Sequence, residues 1–298
     1  MAWSSCGSGV RVSLIVCTRN RASRLPDFFA RLALLEPPRG GCELILVDHG
    51  SADDTAAQIK TFAPGAPFPV RSLRIAVPGL TRAKNLALAH AQGDFIAFTD
   101  DDCYPRPDYF RAWVEVFEEH RIGVAGGRVI LHDPSDARVS VKDVETAMDI
   151  APQSFVPAGI IHGANMAVTR EVVCAIGGFD PLFGPGTPCA AAEDIEYIAR
   201  AVWAGWRGRY DPRPVVAHHH GRKPGRDTEV YLHGYDYGRG AYYTKFVLNS
   251  QARSAYLRHW YRVTQRQRGR RLRRELVGGR RYLLQRIIHP ERIPQFPK

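Results

Sequence analysis

Three adjacent carboxylates, Asp100-Asp101-Asp102, follow directly on the apolar run FIAFT at residues 95–99. Like charges this close repel one another, and a buried strand end sharpens the repulsion, so the cluster is costly unless a cation compensates it. Hard divalent cations take carboxylate oxygens, and Mg2+ keeps waters and substrate phosphates as its other ligands. The ordinary alternative is a solvated acidic turn with a helix cap beyond it. A second group, His218-His219-His220, closes an apolar stretch. In an extended segment His218 and His220 point the same way, so one of them could complete a metal site begun by the aspartates. A solvated turn is the plainer reading.

Two further carboxylate groups stand at the starts of helices or loops. Glu193-Asp194 opens a segment with apolar residues at Ile195, Ile198, Ala199 and Val202. Helix N-termini stabilise carboxylates on their own account. A carboxylate fixed there, beneath the small-residue loop at 184–192, is also well placed as a general base. Asp48, in Asp48-His49-Gly50-Ser51, could accept from a base or ribose, although Ser51 or Asp53 capping the next helix would explain the same residues. The aromatic stretch YLHGYDYGRGAYY at 231–243 reads first as helix packing and second as a stacking surface for a sugar or lipid-linked acceptor.

The elements that must position these groups are legible from apolar patterning. Residues 12–17, 43–47, 70–76 and 95–99 read as strands, and 25–35, 53–62 and 81–91 as helices, with Thr81 a candidate cap. Alternating strands and helices predict βαβ units and a mainly parallel sheet flanked by helices. Ligands of such sheets lie at the carboxyl ends of the strands, here residues 18–21, 48–51 and 100–102. Further on, helices are expected at 109–119, 170–176 and 193–203, a strand at 123–131, a strand edge at 163–168, and helical chain from 228 onward. The division expected is a catalytic domain at 1–225 and a helical, Arg-rich extension at 226–298.

The chain has 298 residues, 45% of them apolar and 24% charged, which excludes wholesale disorder. Its net charge of +11 is uneven. Residues 1–250 hold 27 Lys and Arg against 28 Asp and Glu, and residues 251–298 hold 14 against 2. A uniformly basic nucleic-acid coat is therefore not expected. In the basic end Arg253, Arg258, Arg262, Arg266, Arg268, Arg270, Arg271, Arg273 and Arg274 interleave with Tyr256, Trp260, Tyr261 and Leu272, a pattern suited to an anionic membrane surface and equally to a plain solvated basic helix. The cysteines Cys6, Cys17, Cys42, Cys103, Cys174 and Cys189 form no C-x-x-C pair and read as reduced packing thiols of a cytosolic protein. Residues 1–10 lack the apolar core of a signal peptide, and no run of 18 apolar residues occurs. Walker A, G-x-G-x-x-G and G-x-S-x-G patterns are missing, which argues against P-loop NTPases, Rossmann dehydrogenases and α/β-hydrolases.

Five ordered stretches resemble the family 2 glycosyltransferases of GT-A fold: VSLIVCTRNRAS, LILVDHGSADDT, GLTRAKNLALAHAQGDFIAFTDDD, IHGANMAVTREVVCAIGGFD and AAEDIEYIARAVWAGW, spanning roughly residues 11–220. The resemblance implies a GT-A-like fold and these roles. Thr18 and Asp48 would face the nucleotide base, and Arg82 would help hold the nucleotide. Asp100 and Asp102 would be the Asp-x-Asp pair, with Asp101 beside them on the nucleotide-sugar side. Asp102, with His218 or His220, would hold Mn2+ or Mg2+, while Asp194 would be the base and Glu193 its acceptor-side neighbour. His49 departs from the family, which usually has a second Asp there. The function implied is inverting, metal-dependent transfer from a nucleotide-diphosphate sugar to a saccharide, lipid-linked or small-molecule acceptor in polysaccharide or glycoconjugate synthesis. The expected location is cytoplasmic, peripheral on the inner face of the membrane. Competing readings are a sugar nucleotidyltransferase, disfavoured by Thr18-Arg19-Asn20-Arg21 in place of a Gly-rich first loop, and a non-enzymatic basic adaptor.

Overall fold

In strand β1 (Val12–Thr18), Val12, Leu14 and Val16 are buried on one side and Ile15 on the other, the two-residue period of a strand covered on both faces. The computed structural model describes residues 9–265 and 269–288, so Cys6, Arg266 and Arg268 lie outside the described residues. Strands β2 (Cys42–His49), β3 (Val70–Ile75) and β4 (Phe95–Asp100) complete the first half of the sheet. The sheet runs β3-β2-β1-β4 with every pair parallel, and register sets Thr18 beside Asp48 and Cys17 beside Asp100. The expected site residues thus share one sheet edge at the strand carboxyl ends. Beyond β4 the order continues through β8 (Asn165–Thr169), β6 (Val124–Leu131), β9 (Gly208–His218) and β5 (Cys103–Pro105), with β7 (Met148–Ile150) also on β9. This half is mixed: only β6–β9 is parallel. The segment read as a strand edge, β8, lies centrally between β4 and β6.

Helices cover both faces. Helix α1 (Leu25–Leu32) buries Leu25, Phe28, Phe29 and Leu32, one face of a 3.6-residue period, and packs with α4 (Tyr109–His120) against Val12, Leu14 and Val16. It stops at Leu32, short of the expected residue 35. The other face is covered by α3 (Leu80–His90), α5 (Arg170–Ile176) and α6 (Glu193–Trp203), while α2 (Thr55–Phe62) buries Ile59 in the α1 cluster. Thr81 is not the cap of α3. The helix begins at Leu80, and the Thr81 hydroxyl donates to the Phe183 carbonyl at 2.7 Å.

The chain after 225 forms α7 (Arg226–Leu248), α8 (Arg253–Thr264) and α9 (Gly269–Ile288). Packing does not break at 225/226, because Tyr242, Tyr243, Phe246, Tyr256 and Tyr282 share one core with β4, α5 and α6. Lys245 of α7 is buried and donates at 2.6 Å to both Asp180 and Glu196, the latter also held by Arg200 at 2.7 Å. Helices α7 and α9 touch backbone to backbone: a methyl on Gly240 would overlap the Glu275 carbonyl, and one on Gly278 the Tyr237 carbonyl. Two arginines of the basic end join an internal ion-pair cluster. Arg239, Arg271 and Arg274 gather on Asp236, and Glu275 takes Arg239 and the Trp260 indole N–H. Tyr256 is core, so of the three aromatics read as membrane-facing only Tyr261 is strongly exposed. No helix of the described residues is long and apolar enough to cross a membrane.

Candidate active site

A cavity of about 750 Å3 opens at the carboxyl ends of β1, β2 and β4. One wall carries Asp100, Asp101, Asp102 and His218. Another carries Glu193 and Asp194 at the start of α6, and a third carries Tyr231, Tyr235 and Arg239 of α7. The expected carboxylates therefore converge, and the late helix adds a wall.

The three aspartates tolerate one another because each has its own partners. Asp101 accepts from the Thr18 hydroxyl at 2.6 Å and pairs with Arg21 Nε at 3.2 Å. Burial nevertheless pushes its carboxyl up to about 7, against Arg21 and Thr18. The hydroxyl of Thr18 is thus spent on Asp101. Asp102 pairs with Arg21 Nη2 at 3.3 Å and lies 3.4 Å from His218 Nε2. Burial alone would raise Asp102, but His218 and Arg21 hold it below the usual range, and Asp102 in return raises His218 despite that residue's own burial. Asp100 is raised by burial and by Asp102, with Lys84 opposing.

His218 and His220 do share a side, with ring centroids 4.8 Å apart, but they serve different ends. Nε2 of His220 faces the Ala137 carbonyl at 3.1 Å, and its Nδ1 accepts from the Arg222 N–H at 2.9 Å. Both ring nitrogens are engaged, one by Ala137 and one by Arg222, so His218 alone of the pair meets Asp102. A buried carboxylate and a buried imidazole at this separation on a cavity wall fit a divalent cation.

Arg82 is exposed and off the cavity wall. The cation that α3 sends into the site is Lys84, which is buried with Nζ 3.3 Å from Glu193 Oε1. Burial would lower Lys84, but Glu193, Asp100 and Asp194 together raise it. The sequence held a signal for it: Lys84 stands two residues after Arg82 within the same stretch, GLTRAKNLALAHAQGDFIAFTDDD, that carries the resemblance. Glu193 is raised by burial, with Lys84 opposing. Asp194 accepts from the Gly163 N–H and from the Ile195 N–H, both at 2.7 Å. Ala192 before it sits in left-handed backbone (φ 75°), a conformation costing an alanine roughly 1–2 kcal/mol. Gly184 (φ 103°) leaves room for Thr81 Oγ1 and Glu193 that a side chain would take.

On the β2 side, Asp48 Oδ1 accepts from the Ser51 N–H at 3.0 Å. Its Oδ2 is buried and lies 3.2 Å from Arg74 Nε without hydrogen-bond geometry, leaving an acceptor open. His49 lines the cavity and accepts at Nδ1 from the Gly79 N–H at 3.3 Å. Tyr231 and Tyr235 are joined hydroxyl to hydroxyl at 2.8 Å, Tyr235 meets Ser140 at 2.6 Å, and the Arg222 guanidinium lies 4.1 Å over the Tyr231 ring. The 231–243 stretch therefore divides. Tyr242 and Tyr243 pack the core, as its first reading held, while Tyr231 and Tyr235 line the cavity.

The model of the family described as Glycosyl transferase family 2 matches residues 13–173. The pre-mycofactocin glycosyltransferase of Mycobacterium tuberculosis is 27% identical over 221 residues, covering 70% of this chain and 43% of that protein. Glycosyltransferase AglE of Haloferax volcanii is 23% identical, covering 65% and 62%. The chain thus spans less than half the length of the mycobacterial relative and somewhat under two thirds of the archaeal one. Among solved structures, the mannosyltransferase PcManGT of Pyrobaculum calidifontis in complex with GDP-Man and Mn2+ superposes with a TM-score of 0.64 at 19% identity, covering 96% of this chain and 79% of that one. Staphylococcus aureus TarS 1–349 in complex with UDP-GlcNAc gives 0.61 at 15% identity, covering 83% and 69%. The fold is GT-A.

Proposed function

The chain belongs to glycosyl transferase family 2, and from that premise we propose that it moves a sugar from a nucleotide diphosphate to an acceptor hydroxyl with inversion at the anomeric carbon. One observation carries the reading: a single cavity sets Asp102 and His218 on one wall, Glu193 and Asp194 on another, and Lys84 buried among their carboxylates. Asp48, paired with Arg74 beside the cavity, would face the base or ribose, and Arg21 keeps Asp101 and Asp102 oriented. Asp102 and His218 would hold Mn2+ or Mg2+, which offsets negative charge on the departing diphosphate. Asp194 removes the acceptor proton. Its two oxygens are fixed by the Gly163 and Ile195 N–H groups, and a base held in place works on a hydroxyl presented from the face opposite the leaving group. Glu193, held by Lys84, orients the acceptor side. Replacing Asp194 by Asn should lower transfer by about 10²–10⁴-fold while nucleotide-sugar binding persists. Transfer at the original rate would remove the assignment.

The acceptor is a saccharide or lipid-linked hydroxyl compound received along Tyr231 and Tyr235, in polysaccharide or glycoconjugate synthesis. The protein works at the inner face of the membrane. Support for that comes from α9, where Leu276, Leu283, Leu284, Ile287 and Ile288 are exposed beside the exposed Arg273, Arg280 and Arg281. Removing the whole basic end would strip Tyr256 and Tyr282 from the core, so point substitutions are the sound test. Ile287→Glu should weaken sedimentation with phosphatidylglycerol vesicles at unchanged melting temperature, and undiminished sedimentation would exclude this face.

A further inference from the structure

Cys103 sits opposite His218 in the antiparallel β5–β9 pair, so the two side chains emerge on one face of the sheet. Cys103 Sγ lies 3.8 Å from Asp102 Oδ1, the same oxygen that lies 3.4 Å from His218 Nε2. The three donor atoms fall within 4.8 Å of one another, and all three residues are buried. Zinc bonds of ~2.0–2.1 Å to nitrogen and oxygen and ~2.3 Å to sulfur, at tetrahedral angles, require donor separations of about 3.3 Å for N···O and about 3.6 Å for S···O. The two edges that meet at Asp102 Oδ1 are within a few tenths of an ångström of those values, and the third, from Cys103 Sγ to the His218 ring, lies within 4.8 Å and would shorten for one ion to touch both.

We propose that Asp102, Cys103 and His218 form a three-donor site for Zn2+, distinct in chemistry from the oxygen-rich coordination that a sugar diphosphate shares. It rests on the reading of Asp102 and His218 as metal ligands and adds a soft donor that nothing in the transfer reaction requires. Zn2+ displaces the thiol proton, which leaves to solvent, and the ion takes thiolate, imidazole and carboxylate, with its fourth position open toward the cavity. Thiolate favours Zn2+ and Co2+ strongly and Mg2+ and Mn2+ hardly at all. Cys103 therefore decides which ion the shared carboxylate holds when Zn2+ is present. Cys17, the thiol on the cavity wall, is not one of the three donors.

The test uses the full chain without nucleotide. Co2+ is added to the wild type, Cys103→Ser and Cys17→Ser, and near-ultraviolet absorption is read for a sulfur-to-cobalt charge-transfer band. Zn2+ and Mn2+ affinities are measured in parallel, by competition with a chromophoric chelator and by thermal shift. The band is expected in the wild type and in Cys17→Ser but not in Cys103→Ser, which should bind Zn2+ at least about tenfold more weakly while its Mn2+ affinity stays within about twofold. No band in the wild type, or equal Zn2+ affinity in Cys103→Ser, overturns the proposal. Equal losses of Zn2+ and Mn2+ also overturn it, since they mark a disturbed pocket rather than a lost ligand. Mn2+-dependent stabilisation by UDP or GDP in Cys103→Ser reports separately on the transferase reading.

Discussion

Like charges crowd in two places, the aspartates after β4 and the arginines of α7 to α9. At the strand end each aspartate has its own set of partners and all three face a cavity: Asp100 near Lys84, Asp101 on Thr18 and Arg21, Asp102 on Arg21 and His218. Between the helices the pattern reverses. Asp236 gathers Arg239, Arg271 and Arg274 and lies buried between α7 and α9. Distributing the partners leaves reactive groups individually tuned, with Asp101 raised and Asp102 lowered although they are neighbours in sequence. Pooling them makes a brace. Arg271 and Arg274 of the basic end thus take part in an internal brace, while exposed arginines and apolar side chains on α8 and α9 remain available to a surface.

The sharpest way to break this comparison is at the buried cation of the helical region. Lys245→Met leaves Asp180 and Glu196 without a charge both rely on, and about 3–5 kcal/mol of stability should be lost in urea unfolding. A loss under 1 kcal/mol would mean that α7 is held by apolar packing alone. Next in size is Gly240→Ala. In an open helix this change gains about 1 kcal/mol. Here the added methyl meets the Glu275 backbone, so a net loss of about 1–3 kcal/mol is expected, with the sign as the test. The smallest effect concerns the cavity. His162 on its wall is lowered to about 4 by burial, with Lys142 and His218 adding. A histidine that stays neutral when folded takes up its proton more readily unfolded, so its contribution is present above about pH 6.5 and fades as pH falls toward 4. The melting temperature of His162→Gln should fall less than that of the wild type between pH 7 and pH 5, and parallel curves would refute it.

Much of the sheet half was legible because its strands are short apolar runs ending in turn residues, and the candidate site residues Thr18, Asp48 and Asp100 stand at those ends. Helix α6 was placed correctly, at Glu193–Trp203, by its apolar period. What escaped the sequence depends on partners far away in the chain. Arg82 and Lys84 are both basic residues of one helix, and only the position of α6 tells which is inward. His220 shares a side with His218, but alternation cannot foresee that the Ala137 carbonyl and the Arg222 N–H claim both its nitrogens. The Asp236 cluster was hidden for the same reason, since Asp236 lies 35 and 38 residues before Arg271 and Arg274.

Lys245 also has a consequence in time. Its partners Asp180 and Glu196 are made 65 and 49 residues earlier, an interval of several seconds at about 5–20 residues per second of synthesis. Helix α7 supplies both this brace and the Tyr231–Tyr235 wall, so a ribosome-bound chain interrupted before residue 230 has neither. The emerging chain thus completes the sheet that carries Asp100, Asp101 and Asp102 first and the Tyr231–Tyr235 wall of the cavity last.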